Sequence, residues 1–320
     1  MMTRLTGLRR QLRFVNERQL RRALIVLSVA AVLAALVFAV VYYRDRYVAP
    51  ANPGTMSDAQ KQIEHLREQI RLDPKNVELR VAVAQYFFTA GRLQETVAQS
   101  SEALKLDSDH QGAHYLRALA YAQLGKTDEA TADLEHIVAL NRDNPMAEVD
   151  QRLESVYYEL GTLYANSGKP AQAVTALRSA LAINKTDADA WNALGQALHQ
   201  LGQDKDAVEA YQQAVRFVPD FAEAFAGLEK SYRALGQQPQ ADYAAGMVAF
   251  GERDYHRAVE LLEPLAENHP DVIETYLGLG LAYERTGARD KALSALERYI
   301  AARPDDLAAQ QAFARIQKSQ

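Results

Sequence analysis

Trp191 and Phe225 hold the same place in two successive copies of one pattern. From Trp191 the chain reads W-N-A-L-G-Q-A-L-H-Q-L-G-Q, then D-K-D-A-V-E-A-Y-Q-Q-A-V, with Pro219 shortly after. Apolar residues recur at helical spacing on both sides of a glycine break, so this is a two-helix unit. A unit this short cannot bury its apolar face alone; it must stack on copies of itself. The expected product is an elongated array that holds partners, not a compact pocket that does chemistry.

The period runs through most of the chain. The unit at 77–110 carries Val83, Ala84, Phe87, Gly91 and Ala103, with Thr96 where other units have Ala. The unit at 111–144 carries His114, Ala118, Tyr121, Gly125, Ala130 and Leu134. At 154–187 stand Tyr157, Leu160, Gly161, Tyr164, Gly168, Ala173, Leu177 and Ala180. At 188–221 stand Trp191, Leu194, Gly195, Gly202, Ala207, Tyr211, Ala214 and Pro219, followed by a first helix with Phe225, Leu228, Tyr232 and Gly236. The last unit, 273–306, has Tyr276, Leu279, Gly280, Tyr283, Gly287, Ala292, Leu296 and Pro304.

So many positions recurring in phase resemble the tetratricopeptide repeat family. The resemblance implies an all-α, right-handed superhelix of helix-turn-helix units, a solenoid. It implies a concave groove lined by first helices, with positions 2, 5, 9, 12 and 13 of a unit facing in. Those positions include Gln85, Phe88, Tyr115, Tyr158, Thr162, Asn166, Asn192, Gln196, His199, Gln200, Lys230 and Arg233. Amides and tyrosine hydroxyls fill the middle, groups that bond a peptide backbone without selecting a charge; Lys230 and Arg233 add a basic end. The Lys, Asn and Arg set with which some members clamp a terminal carboxylate is missing. Phe87, Tyr121, Tyr164, Trp191, Tyr232 and Tyr283 are expected in the core, not in a cofactor box.

The period breaks twice. An insertion, P-M-A-E-V-D-Q-R-L at 145–153, separates two units. Pro145 suits a first helical turn, and Val149, Leu153, Val156 and Leu160 continue one stripe, so a single helix from about Met146 to Ala165 is expected. Farther on, Tyr255, Ala258, Leu262 and Pro270 place a unit start at Pro239, only half a unit after Ala222. This half-repeat shift near 236–240 makes one helix serve two units, with a kink or change of groove. The whole array spans 77–306. A helix at 57–76, with Ile63, Leu66 and Ile70 on one face, is expected to cap its start. One at 307–320, with Leu307, Phe313 and Ile316 facing in, is expected to cap its end.

Upstream, Ala23 to Tyr43 is an unbroken run without charge, Pro or Gly. As a helix it is about 31 Å long, matching a hydrocarbon core of about 30 Å. Ala49-Pro50-Ala51 resembles a cleavage site, but the apolar run is longer than a signal segment needs, and Arg44-Asp45-Arg46 intervenes. An uncleaved transmembrane helix, a signal anchor, is the expectation. Residues 1–22 form a basic tail of seven Arg against Glu17, while Arg44, Arg46 and Lys61 alone follow closely on the far side. The positive-inside bias puts the N-terminus in the cytoplasm and the array outside it, in a periplasm if the membrane is bacterial. Residues 44–56 form a breaker-rich linker.

The formal net charge is −5, and removing the tail's +6 leaves −11 on the rest, which argues against nucleic acid as the array's ligand. Absent cysteines exclude disulfides and thiolate chemistry. No phosphate loop, Gly-x-Ser-x-Gly elbow or His-Glu-x-x-His motif appears. His65 with Glu68, and Glu135 with His136, lack a third ligand. Neither enzyme activity, a cofactor, a metal nor a small-molecule substrate is expected. The expected function is a membrane-tethered scaffold or adaptor that binds protein segments outside the cytoplasm, chaperone-like, during assembly, folding or export of envelope or membrane complexes. The alternative is a permanent structural subunit of a respiratory, photosynthetic or secretion complex, packed through Ala31, Ala35 and neighbouring small residues. An open array can also pair as a homodimer.

Overall fold

The computed structural model describes residues 58–318. The expected membrane helix 23–43, the tail 1–22 and the linker 44–56 lie outside the described residues. Among the described residues no helix is long and apolar enough to cross a membrane. The chain divides into two compact units, residues 1–65 and 66–320, and the second holds the repeats.

All regular structure among the described residues is helical. In order come α1 (Asp58–Leu72), α2 (Val77–Thr89), α3 (Leu93–Leu106), α4 (Gln111–Gln123) and α5 (Thr127–Leu140). After a 3-10 turn at Ala147–Val149 come α6 (Gln151–Asn166), α7 (Pro170–Ile183), α8 (Ala188–Gln200), α9 (Asp204–Phe217) and α10 (Ala222–Ala234). The remainder is α11 (Gln238–Gly251), α12 (Tyr255–Asn268), α13 (Glu274–Thr286), α14 (Arg289–Ala302) and α15 (Leu307–Lys318). From α2 onward each helix packs on the next, giving an all-helical solenoid.

The helix boundaries have local causes. Asn76, Asp187, Asp254 and Asp306 accept from backbone N–H groups at the starts of α2, α8, α12 and α15, offsetting donors that have no partner inside a helix. His110 caps α4 through Nδ1, which accepts from Ala113 N–H at 3.1 Å. Glycines in the left-handed conformation turn the chain from first to second helix, Gly168 and Gly202 among them.

Small residues set the spacing within a unit. A Cβ on Gly161 would come within 2.6 Å of Leu177, and one on Gly280 within 2.5 Å of Leu296. Leu177 and Leu296 are fully buried beneath these contacts, and Leu134 is fully buried in its own unit. Burying each contributes about 1.5–3 kcal/mol relative to exposure. Thr96, which replaces an Ala, is also fully buried; its hydroxyl donates to the Arg92 carbonyl at 3.0 Å.

The insertion differs from the single helix expected. α6 begins at Gln151, not Met146, because Asp150 caps it, accepting from Arg152 N–H at 2.9 Å. Met146 and Val149 sit on the preceding 3-10 turn region and are exposed. At the other end Leu307 is 68% exposed, so it does not face in; Ala309, Ala312 and Ile316 form the buried face of α15.

Alternate helices also touch, and the row they form changes hands. α2 meets α4, α6 meets α8, and α8 meets α10; beyond that, α11 meets α13 and α13 meets α15. The row thus passes from even to odd helices at α10 and α11. Two turns of first-to-second-helix type, at Gly236 and Arg253, flank α11.

Candidate functional site

The first helices α2, α4, α6, α8 and α10 carry the residues expected to line the groove. Gln85, Asn166, Gln196, Gln200 and Lys230 are exposed, and Asn192 is half-buried. Phe88, Tyr115 and Tyr158 are half-buried as well.

Others are already engaged. The Thr162 hydroxyl donates to the Glu159 carbonyl at 2.9 Å. His199 donates through Nδ1 to Asp204 at 2.5 Å, and Ser231 lies 3.5 Å from the same nitrogen. Arg233 pairs with Glu229 on its own helix at 2.7 Å. Of the two residues expected to make a basic end, Lys230 forms no ion pair among the described residues.

The middle of the row is charged rather than neutral. Glu154 and Glu159 on α6, with Asp187 and Asp189 at the start of α8, surround Tyr158 closely enough to push its phenol up. Burial is the larger cause of that shift. Tyr115 on α4 is pushed up likewise, by burial first and then by Glu159 and Glu154. Burial alone holds the Glu159 carboxyl above its usual range. Glu154 is pushed up to about 7 by burial and by the facing Asp187 carboxylate. Asp187 stays fixed because it caps α8, accepting from Asp189 N–H at 2.9 Å and Ala190 N–H at 3.1 Å.

These acids are not among the residues expected from the sequence to line the groove. Asp189 occupies position 2 of its unit, one of the positions expected to face the groove, and so do Glu78 and Glu223. The signal was present in the same rule that selected the amides. Glu154 and Asp187 lie at unit boundaries, where capping is the ordinary role of an acid, and their mutual approach needs the stacked helices.

Elsewhere, the aromatic residues divide. Phe87, Tyr164 and Tyr283 are buried, while Tyr121, Trp191 and Tyr232 are half-buried. Trp191 donates from its indole to the Lys185 carbonyl at 2.9 Å and floors a hollow of about 550 Å³ between α7 and α9. Glu135 accepts from the Tyr164 hydroxyl, and His136 faces Asp109 at 3.3 Å, so this pair is occupied in packing the units. Among the described residues no cluster of three or more His, Asp or Glu could hold a metal ion.

The sequence profile described as tetratricopeptide repeat matches residues 158–221 and 243–306, so these stretches are tetratricopeptide repeats. The starts of the two matches are two and a half repeats apart, which is the half-repeat offset in another form. The profile of anaphase-promoting complex, cyclosome, subunit 3, matches residues 56–137. Human tetratricopeptide repeat protein 13 is 25% identical over 208 residues, covering 56% of this chain and 24% of that protein. The chain spans a quarter or less of the length of the curated relatives it matches. Among solved structures, YrrB, described as a TPR protein with an unusual peptide-binding site, has a TM-score of 0.53 at 20% identity, over 62% of this chain and 97% of that one. MamA has a TM-score of 0.51 at 21% identity, over 57% of this chain and 94% of that one. These likenesses show the fold.

Proposed function

We propose that this tetratricopeptide-repeat chain is a scaffold, tethered to a membrane by residues 23–43, that holds segments of other proteins along its first helices. The array stands outside the cytoplasm, and the N-terminus inside. Its clients are proteins of the envelope or membrane being assembled, folded or exported. The protein is not an enzyme in this reading; its repeats present a surface and no reacting group.

One observation carries the binding role. Gln85, Asn166, Asn192, Gln196 and Gln200 project from first helices and make no hydrogen bond to another described residue through their side chains. Groups that donate and accept in a row suit an extended backbone, whose N–H and C=O groups alternate along its length. The tether rests on the apolar run Ala23–Tyr43 and its arginine-rich flank.

The half-period offset gives this surface an end. α11 acts as second helix to α10 and first helix to α12. It divides a five-unit arm from a shorter C-terminal arm, and the binding groove belongs to the first.

Joint replacement of Asn192, Gln196 and Lys230 by Ala tests the reading in the full-length protein in native membranes. Loss of bound extracytoplasmic proteins with membrane association retained is the expected result. Unchanged binding, together with loss of a fixed complex when Ala31 and Ala35 are made bulky, would replace the scaffold with a built-in subunit.

A further inference from the structure

The insertion opens the row of first helices. α2 touches α4 and α6 touches α8, but α4 and α6 approach far less closely. Between α4 and α6 lies a cavity of about 210 Å³. Its walls are Tyr115 of α4, Ile137 of the adjoining α5, and Leu153 and Val156 of α6; Gln111, Gly112, Arg152 and Ser155 complete it. Ile137 and Leu153 are each 1% exposed, and Val156 is 3% exposed. Such side chains are held by the surrounding core, so the walls cannot easily collapse into the space.

Two properties define what the cavity accepts. Its volume lies below the range of about 300–1,000 Å³ usual for sites that enclose a whole small molecule. Its walls are apolar, so an apolar group that enters exchanges water for close contacts. The surroundings add a sign of charge. None of Glu154, Glu159, Asp187 and Asp189 forms an ion pair among the described residues, whereas Arg152 is already paired with Asp150 at 3.0 Å. Tyr115, one wall of the cavity, lies within the electrostatic reach of both Glu154 and Glu159.

We infer that the cavity is the anchor pocket of the groove. It receives one large apolar side chain of an extended protein segment that carries a lysine or arginine beside that residue. The anchor fills the space between α4 and α6, and the neighbouring cation lies over Glu154, Glu159 and Asp189. This rests on the groove reading and sharpens it: the surface selects segments that are apolar and basic together. An acidic segment would meet unpaired carboxylates, and a purely basic one would leave the pocket empty.

The test is selection of a random twelve-residue peptide library, displayed on phage, against the full-length protein. The expected consensus is a large apolar residue flanked by Lys or Arg. Synthetic peptides of that consensus are then measured against two variants. Ser155→Trp places an indole in the cavity; E154Q/E159Q/D189N removes charge and leaves the Asp187 cap. Each is expected to weaken binding at least tenfold, with helical content and a cooperative thermal transition retained. Should Ser155→Trp unfold the array, the charge variant and peptides with the apolar residue changed to Ala decide the matter.

Acidic consensus peptides, or basic ones indifferent to the apolar residue, would overturn the proposal. So would unchanged affinity in both variants. If selected peptides lose binding with the Asn192, Gln196 and Lys230 replacements but ignore the cavity, the groove stands and the pocket fails. If no peptide is enriched, both fail.

Discussion

Gly236 and Arg253 lie half a repeat apart and share one left-handed backbone conformation, with φ of 72° and 66°. Each closes its helix with the same bond: Gln237 N–H donates to the Tyr232 carbonyl, and Asp254 N–H to the Ala249 carbonyl, both at 2.9 Å. Left-handed backbone costs an L residue roughly 1–2 kcal/mol. Glycine avoids that cost but loses about 0.4–1 kcal/mol through its freer unfolded chain. Arg253→Gly is therefore expected to stabilise the C-terminal arm, by up to about 1 kcal/mol, in urea unfolding of the full-length protein. Destabilisation would show that the Arg253 side chain holds the turn.

The period was legible because burial dictates it: Leu134, Leu177 and Leu296 must be apolar, and Gly161 and Gly280 must be small. The offset at α11 was legible from Tyr255 and Leu262 for the same reason. Arg253 was not, because a residue that tolerates strain leaves no pattern. The helix start at Gln151 was misplaced because an apolar stripe continues through Val149, while the Asp150 cap overrides it. The acids at Glu154 and Asp187 were missed since their approach depends on stacking of α6 on α8, which no single unit encodes.

His114 makes a second test. Its Nδ1 donates to Asp133 at 2.7 Å and its Nε2 to the Ser108 carbonyl at 2.9 Å, so both nitrogens carry protons and the ring is an imidazolium. Burial works against the charge, but the Asp133 and Ser108 bonds prevail and hold the pKa above its ordinary value, against nearby Arg117. The His136 ring packs 4.4 Å away, between centroids. With the folded value raised, this contribution is complete below about pH 6.5, the unfolded value. It is lost as pH rises through the folded value. Stability to denaturant should fall over that interval in the native chain and fall less in His114→Phe. Asp133→Ala should cost roughly 3–5 kcal/mol, since it strands buried cations.

Tyr211 is clasped between units. A Cβ on Gly195, in its own unit, would approach its ring to 2.7 Å, and one on Gly227, in the next, to 2.2 Å. Gly227→Ala is expected to destabilise by about 1–3 kcal/mol through overpacking. Adding Tyr211→Leu should recover part of the loss, as a coupled pair does. Strict additivity in thermal unfolding would show that the ring is not the obstacle.

Glu154 ties binding to pH. Its carboxyl is raised to about 7 by burial and Asp187, so the folded chain holds a proton that the unfolded chain releases from about pH 4.5. Its contribution to stability is present below that value and lost as pH rises through 7. Glu154→Gln should therefore raise the melting temperature at pH 8 and leave it unchanged at pH 4. A basic segment bound over Glu154 displaces the proton, so affinity should fall as pH drops from 8 to 6 in the native chain and much less in the variant. Calorimetry in two buffers of different ionisation enthalpy reads the released proton directly.

The proposed role depends on the first helices holding segments of other proteins. A photoreactive residue at Gln196, compared with one at Gln213 on α9, tests it most directly in the full-length protein within native membranes. Adducts with extracytoplasmic proteins from position 196, few from 213, and loss of those adducts on adding a selected peptide are the predicted result. Adducts confined to position 213, or none displaced by peptide, would contradict it.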